Sequence, residues 1–190
     1  MAVMAGIENL LKRDFPAALS GAPVNGKVQV VGSTELKTTT SFGNTLGLYL
    51  YRIVVDATGR NRWLPPSGAS SLQPHQRELP LNLHFLLVSW GANAAAELEL
   101  HAWGMQQLAS ITELGLGDLG DLDRDWSERD RVQILPEELP TEDLFKIWDG
   151  LPIKYTLSSA YVAKTLRLGL PEEPAGPPVV TRAFPFEAGH

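Results

Sequence analysis

Three short stretches of the sequence carry residues spaced for chemistry, and each lacks a part that the chemistry needs. Gly21-Ala-Pro-Val-Asn-Gly-Lys27 matches the front of the phosphate-binding loop G-x-x-x-x-G-K. There backbone N–H groups cradle the phosphates, the lysine reaches the outer ones and a following hydroxyl holds Mg²⁺. Val28 stands where that hydroxyl belongs. The stretch is also expected to lead from a helix into a strand, so no helix N-terminus would face the anion. Gly115-Leu-Gly-Asp-Leu-Gly120 formally fits G-x-G-x-x-G. A dinucleotide site requires a strand before this motif and a helix opening at its last glycine. Here a helical pattern precedes and Asp121-Leu-Asp-Arg-Asp125 follows, so a flexible loop is expected. Asp121, Asp123 and Asp125 begin like a calcium loop, but Trp126 replaces the turn glycine and Val132 the bidentate glutamate. An acidic solvated loop accounts for them.

Other catalytic constellations are missing from the sequence as well. There is no cysteine to act as nucleophile, metal ligand or disulfide. The histidines His75, His84, His101 and His190 have no metal-ligand spacing. No G-x-S-x-G elbow occurs, and Ser158-Ser159 fall on an expected strand without a sequence-marked base. The sequence specifies no enzyme, cofactor or metal site. A small ligand-binding or hydrolytic enzyme built on the glycine loops, its groups gathered only by the fold, is the alternative to a structural role. A monomeric adaptor that docks a partner is another.

The elements that would position any such groups follow from apolar periodicity. Leu81, Leu83, Phe85 and Leu87 alternate along Pro80–Trp90, while the other face starts with Asn82 and His84 and turns apolar at Leu86, Val88 and Trp90. After Gly91 the period lengthens, and Ala96, Leu100, Trp103, Gly104, Leu108 and Ile111 form one helical stripe. Asn93 is placed to cap this helix, and Gly104 to let it approach a sheet. Leu46 to Val55 is apolar on both faces, with Leu46, Leu48 and Leu50 on one and Tyr49, Tyr51 and Ile53 on the other, which places it inside the sheet. Lys27–Val31 and Val132–Leu135 read as short strands. Ser158–Leu168 reads as the last, with Ala160, Val162, Leu166 and Leu168 opposite Tyr161. Residues 3–14 form an amphipathic helix closed by Pro16. A helix over Glu142–Asp149, capped by Thr141 and ended by Gly150, buries Leu144, Trp148 and Leu151. The expected core centres on Leu83, Phe85, Leu87, Trp90 and Leu100, with Gly104, Leu108, Trp148 and Tyr161.

Bulk composition sets the class. A chain of 190 residues, 44% hydrophobic, buries a real core as one domain. Its formal charge of −6 argues against nucleic acid, which needs cations to displace phosphate counterions. No apolar run approaches the roughly 18 residues of a membrane span, and no signal-peptide pattern opens the chain. A cytoplasmic origin and no membrane insertion are therefore expected. Two segments lie outside the regular pattern. Asp56–Leu79 carries Arg60-Asn61-Arg62-Trp63, either a solvated loop with one anchoring tryptophan or a contact surface. Residues 169–190 form an extended Pro-rich arm beyond a domain spanning 1–168. Its prolines 171, 174, 177 and 178 precede an apolar end, and the arm is expected to clasp a neighbouring surface through Val180, Arg182, Phe184 and Phe186.

Several segments, in order, resemble one family. They are Leu48-Tyr-Leu-Tyr-Arg52; Arg60-Asn61; Leu79-Pro-Leu-Asn-Leu-His-Phe-Leu-Leu87; Leu100-His-Ala-Trp-Gly104 with Leu108; Val132 through Trp148; and Leu157-Ser-Ser-Ala-Tyr161. Together they resemble the DUF4255 family, the N-terminal domain of cap or tail-terminator proteins of extracellular contractile injection systems such as the Photorhabdus virulence cassettes and the antifeeding prophage. The resemblance covers about residues 4 to 168. It implies an α+β fold, a small mostly antiparallel or mixed sheet of about four to five strands flanked by about three helices. It also implies a six-fold ring that closes the inner tube and sheath at the distal end of the particle. The partners it implies are further copies of the chain and the sheath and inner-tube proteins. Longer members carry a further C-terminal region where this chain has only the arm, which is expected to clasp the adjacent subunit or the sheath.

Overall fold

Apolar alternation on both faces of two long segments builds the centre of the molecule. The computed structural model describes residues 2–19, 22–23, 25–38, 41–57, 78–111, 113–119 and 131–169. In chain order the elements are α1 (Ala2–Arg13), β1 (Ala18–Leu19), β2 (Ala22–Pro23), β3 (Lys27–Val31), α2 (Ser33–Thr38), β4 (Thr45–Val55) and β5 (Glu78–Trp90). They continue with α3 (Ala94–Ser110), β6 (Glu113–Leu114), α4 (Leu116–Leu119), β7 (Val132–Pro136), α5 (Thr141–Asp149) and β8 (Ser158–Gly169). Six strands form one sheet in the order β3-β4-β5-β8-β7-β6, and β1 and β2 pair separately. β3 runs parallel to β4, with α2 in the connection, and the other pairs are antiparallel. The class is α+β, as expected. The strand and helix counts exceed expectation because β6, α2 and α4 are two, six and four residues long, too short to show a period.

Helices cover the two faces unequally. On the first face, Leu46, Leu48, Leu83, Phe85 and Leu87 meet α1 and α3 through Ile7, Leu11, Leu100 and Leu108. Asn93 Oδ1 accepts the Ala96 N–H at 2.9 Å and starts α3. Gly104 lies directly over the sheet. A Cβ there would come within 2.9 Å of Leu46 Cδ2 and 3.2 Å of Leu87 Cδ2. On the second face, α5 sets Trp148 against Leu86, Val88 and Ala160, with Leu144 and Leu151 beside them. Trp90, half-buried, stacks on Phe42 with centroids 4.1 Å apart. Gly47 seats that indole, because a Cβ would meet Trp90 Cζ3 at 2.5 Å.

Two bulges overturn the strict alternation read from sequence. An extra residue at Tyr51 shifts the β4–β5 register between Leu50 and Arg52. Ile53 therefore faces the Leu83 side rather than that of Tyr49, and it stands 56% exposed. A second shift between Leu81 and Leu83 turns Leu166 to the Tyr161 and Ala163 face, away from Ala160 and Val162. One inserted residue reverses every side chain beyond it. The start of α5 also differs from expectation. Pro140 is the N-cap, Thr141 is the first helical residue, and no side chain caps the helix. Gly150 follows in an ordinary right-handed conformation, φ −79°.

Candidate assembly surface

The stretches that mimic chemistry do not assemble into a site among the described residues. In the first glycine stretch, residues 22–23 and 25–27 are described. Lys27 opens β3, where its backbone N–H donates to the Asn44 carbonyl at 3.1 Å. Around the second the surroundings differ from expectation, since β6 precedes Gly115 and α4 follows it. The Gly115 N–H is already taken by Asp118 Oδ2 at 3.1 Å. A helix this short carries no usable macrodipole, and a carboxylate where phosphate would sit repels it. A solvent-open depression of about 550 Å³ beside it is lined by Glu113, Gly115, Leu116, Gly117 and Arg131. The Arg131 guanidinium lies 4.0 Å from the Glu113 carboxylate. Asp121, Asp123 and Asp125 lie outside the described residues, as do His75 and His190. Among the described residues no cluster of three His, Asp or Glu side chains could hold a metal ion.

Two polar clusters inside the sheet layers do bring titratable groups together. Glu137 accepts from the Tyr51 hydroxyl at 2.9 Å and lies 2.8 Å from His84 Nδ1. Burial first, and then the bond to Glu137, push the Tyr51 phenol above its ordinary pKa. A phenol so held stays protonated at neutral pH and acts as a strut from β4 to the segment after β7, not as a base. The Glu137 N–H donates to the Ala160 carbonyl at 2.9 Å and fixes the third corner.

His101 is the second centre. Its Nδ1 lies 3.1 Å from Ser89 Oγ and its Nε2 2.8 Å from Ser159 Oγ, joining α3 to the two central strands. A histidine between two serines resembles nucleophile activation, but Ser89 is fully buried and His101 only 6% exposed. Ser89 is closed to a substrate, while Ser159 is partly exposed and is held by the same ring. Burial lowers the His101 pKa from its ordinary 6.5, so the ring is neutral and donates from one nitrogen while accepting at the other. A depressed folded-state pKa means the unfolded chain binds the extra proton first. The stabilisation is whole above about pH 6.5 and is lost as pH falls through the folded-state value, with a slope of at most about 1.4 kcal/mol per pH unit. Thermal melts between pH 7.5 and 5.5 are therefore expected to drop on acidification, and His101→Gln to flatten that part of the curve. An unchanged slope in the variant would assign the dependence to other groups.

The surface offers a different kind of feature. α3 runs for 17 residues, and its buried side carries Ala96, Leu100, His101, Gly104 and Leu108. Its outer side carries Ala95, Leu98, Ala102, Met105 and Ala109, all exposed and spaced three and four apart. Leu98 is 61% and Met105 42% exposed, and Glu99, Gln106 and Ser110 border the stripe on one side. A helix apolar on two opposite sides is ordinarily a buried helix. On the other layer of the sheet, Phe145 and Tyr155 stand exposed with ring centroids 5.2 Å apart. The α3 stripe was legible in the sequence as a second 3-4-3-4 set. The buried stripe by itself is enough to account for a helix, which hides the significance of the second set.

The core positions named from sequence are placed plainly. Leu83, Phe85, Leu87, Leu100, Leu108, Trp148 and Tyr161 are buried, Gly104 is buried on the sheet side of α3, and Trp90 is half-buried. The contact residues Arg60, Asn61 and Trp63 lie outside the described residues, as do Val180, Arg182, Phe184 and Phe186. No described helix is long and apolar enough to cross a membrane.

A mixed sheet with helices on both faces, buried polar struts and an exposed apolar stripe on α3 describes an α+β domain. The chain belongs to the Pvc16 N-terminal domain family, which matches residues 2–182. Two solved structures share the fold. One is the sheath/tube terminator, in the extended state, of PVC, an extracellular contractile injection system. It is 14% identical with a TM-score of 0.59 over 100% of this chain and 63% of that one. The other is the tube-terminating cap of the anti-feeding prophage, 14% identical with a TM-score of 0.58 over 97% of this chain and 60% of that one. This chain thus spans about three fifths of the length of each. No curated protein matches it.

Proposed function

We propose that this chain is a non-catalytic subunit of a ring that closes the inner tube and sheath at one end of a contractile injection particle. Family membership supports this reading, as does the fold shared with proteins described as a terminator and a cap. The observation that carries it is the outer face of α3. Five apolar residues in a row along an exposed helix are stable in water only at some cost, which a covering partner removes. Ring closure uses heterologous contacts, in which two unlike patches of each subunit meet. The α3 stripe and the Phe145–Tyr155 pair are unlike, apolar and on opposite layers of the sheet, so one subunit can offer its aromatic pair to the alanine-floored stripe of the next. Six copies is the number the resemblance implies. Sheath and inner-tube proteins are the further partners, and Arg60, Asn61 and Trp63 are proposed to touch them. The charge of −6 argues against nucleic acid as a partner. Assembly takes place in the cytoplasm, whether the finished particle is released or retained.

The test is assembly of the sheath and tube proteins with and without the chain. Particles made with it are expected to be closed at one end and uniform in length. Those made without it are expected to be open and widely distributed. Identical length distributions in the two cases would reject the reading.

A further inference from the structure

The sheet has an open edge that its short partner strand does not reach. β3 pairs with β4 only as far as Val31 opposite Tyr49, while β4 continues to Val55 against β5. Backbone direction over this extension follows from one hydrogen bond. The Asp56 N–H donates to the Pro80 carbonyl at 2.9 Å, and strand residues face alternate sides. Residues 52, 54 and 56 therefore address β5, and the N–H and C=O groups of Ile53 and Val55 point to the open side. Among the described residues nothing pairs with them. Their side chains are 56% and 43% exposed, and no lysine or proline stands between the flanking charges of Arg52 and Asp56 to protect the edge. The outer edge of β3 shows the contrast, because Glu8 Oε2 accepts the Val30 N–H at 3.3 Å and blocks it.

The chain itself holds a segment suited to this edge. β8 leaves the sheet at Gly169, which pairs with Glu78, three residues beyond Leu81, the partner of Val55. The described strand thus ends at the same end of the sheet as the open edge. The slot outside β4 lies three strand spacings from β8, about 14 Å. A Pro-rich spacer over 171–178 spans roughly 25 Å at about 3.1 Å per residue. Beyond it, Val179-Val-Thr-Arg-Ala-Phe-Pro-Phe186 is rich in β-branched and aromatic residues, the types that favour strands. Pro185 has no N–H and so fits a strand only at an edge, with its backbone turned to solvent. That orientation sends the backbone groups of Val180, Arg182, Phe184 and Phe186 toward the partner strand.

We infer that residues 179–186 add as an edge strand to β4 at Ile53 and Val55, main-chain hydrogen bonds supplying the attachment and the exposed Ile53 and Val55 side chains the packing. The inference concerns the chain's own segment and does not require the ring. Because the protein has no cysteine, introduced pairs report it without background. Ile53→Cys is combined in the full chain with a single cysteine at each of residues 179–184 and 186, in turn, and oxidised. Phe145→Cys, on the opposite layer, serves as the control partner for the same series. Each variant is first checked for an unchanged thermal transition. The expected result is disulfide formation with Ile53→Cys that alternates with period two along the segment, and none with the control. A covalent monomer or a covalent dimer supports the inference equally, and says whether the donor is the same or a neighbouring copy. No cross-link above the control, or cross-links without alternation, would overturn it while leaving the ring reading untouched.

Discussion

Replacing Trp148 with alanine is expected to lower the unfolding free energy by about 3–5 kcal/mol, the range for truncating a large buried aromatic. The indole is 3% exposed and is the largest side chain in the smaller core, where it fills the space between α5 and the second face of the sheet. Its Nε1–H donates to Ser158 Oγ at 3.1 Å, and Tyr155 meets it edge-on with centroids 5.8 Å apart. Truncation removes the transfer term, leaves Ser158 without its donor and opens a cavity. That cavity is floored by Leu86 and Val88, which sit on a central strand paired on both sides and cannot move to refill it. Urea denaturation measures the loss, and a value near zero would mean that α5 does not pack as described.

The long periodic segments were legible in the sequence for a physical reason. Leu83, Phe85 and Leu87, or Leu100, Gly104 and Leu108, each repeat one face often enough for the period to show through. The strands β3, β4, β5, β7 and β8 and the helices α1, α3 and α5 all follow from such runs. What escaped is short or irregular. α2 and α4 complete barely one turn, and α4 sits where glycines suggested only a loop. The bulges at Tyr51 and beyond Leu81 have no residue signature, so Ile53 and Leu166 were assigned to the wrong faces. The bond from Asn93 to the start of α3 was readable, because the cap residue stands directly before the apolar stripe. The absence of any side-chain cap at Thr141 was not, because Pro140 takes the N-cap position itself.

Candidate function was less legible than fold. His84 and His101 looked like isolated histidines, since Glu137, Ser89 and Ser159 reach them only through strand pairing. Their partners are 53, 12 and 58 residues away in the chain. The structure turns both histidines into internal struts. The aromatic pair of Phe145 and Tyr155 also arises only when the turn after α5 folds back.

The second large effect is expected at the outer face of α3. Leu98 and Met105 stand two turns apart at the middle of the apolar stripe, and neither belongs to the buried cluster. Met105 touches the Ser159 hydroxyl through its sulfur at 3.8 Å and is 42% exposed. Glutamate is a good helix former at exposed positions, so Leu98→Glu with Met105→Glu is expected to leave stability within about 1 kcal/mol of the parent. In a subunit contact the same change buries two carboxylates against apolar side chains, which costs several kcal/mol per contact unless they are paired. Multiplied around the proposed ring, that loss is expected to abolish assembly rather than weaken it.

Electron microscopy of particles assembled with the Leu98→Glu, Met105→Glu chain decides whether the outer face of α3 closes the particle, as proposed. With folding of the variant verified by its thermal transition, the particles are expected to lack terminal density and to vary in length, like those assembled without the chain. Particles closed by a normal terminal ring and of uniform length would contradict the proposal.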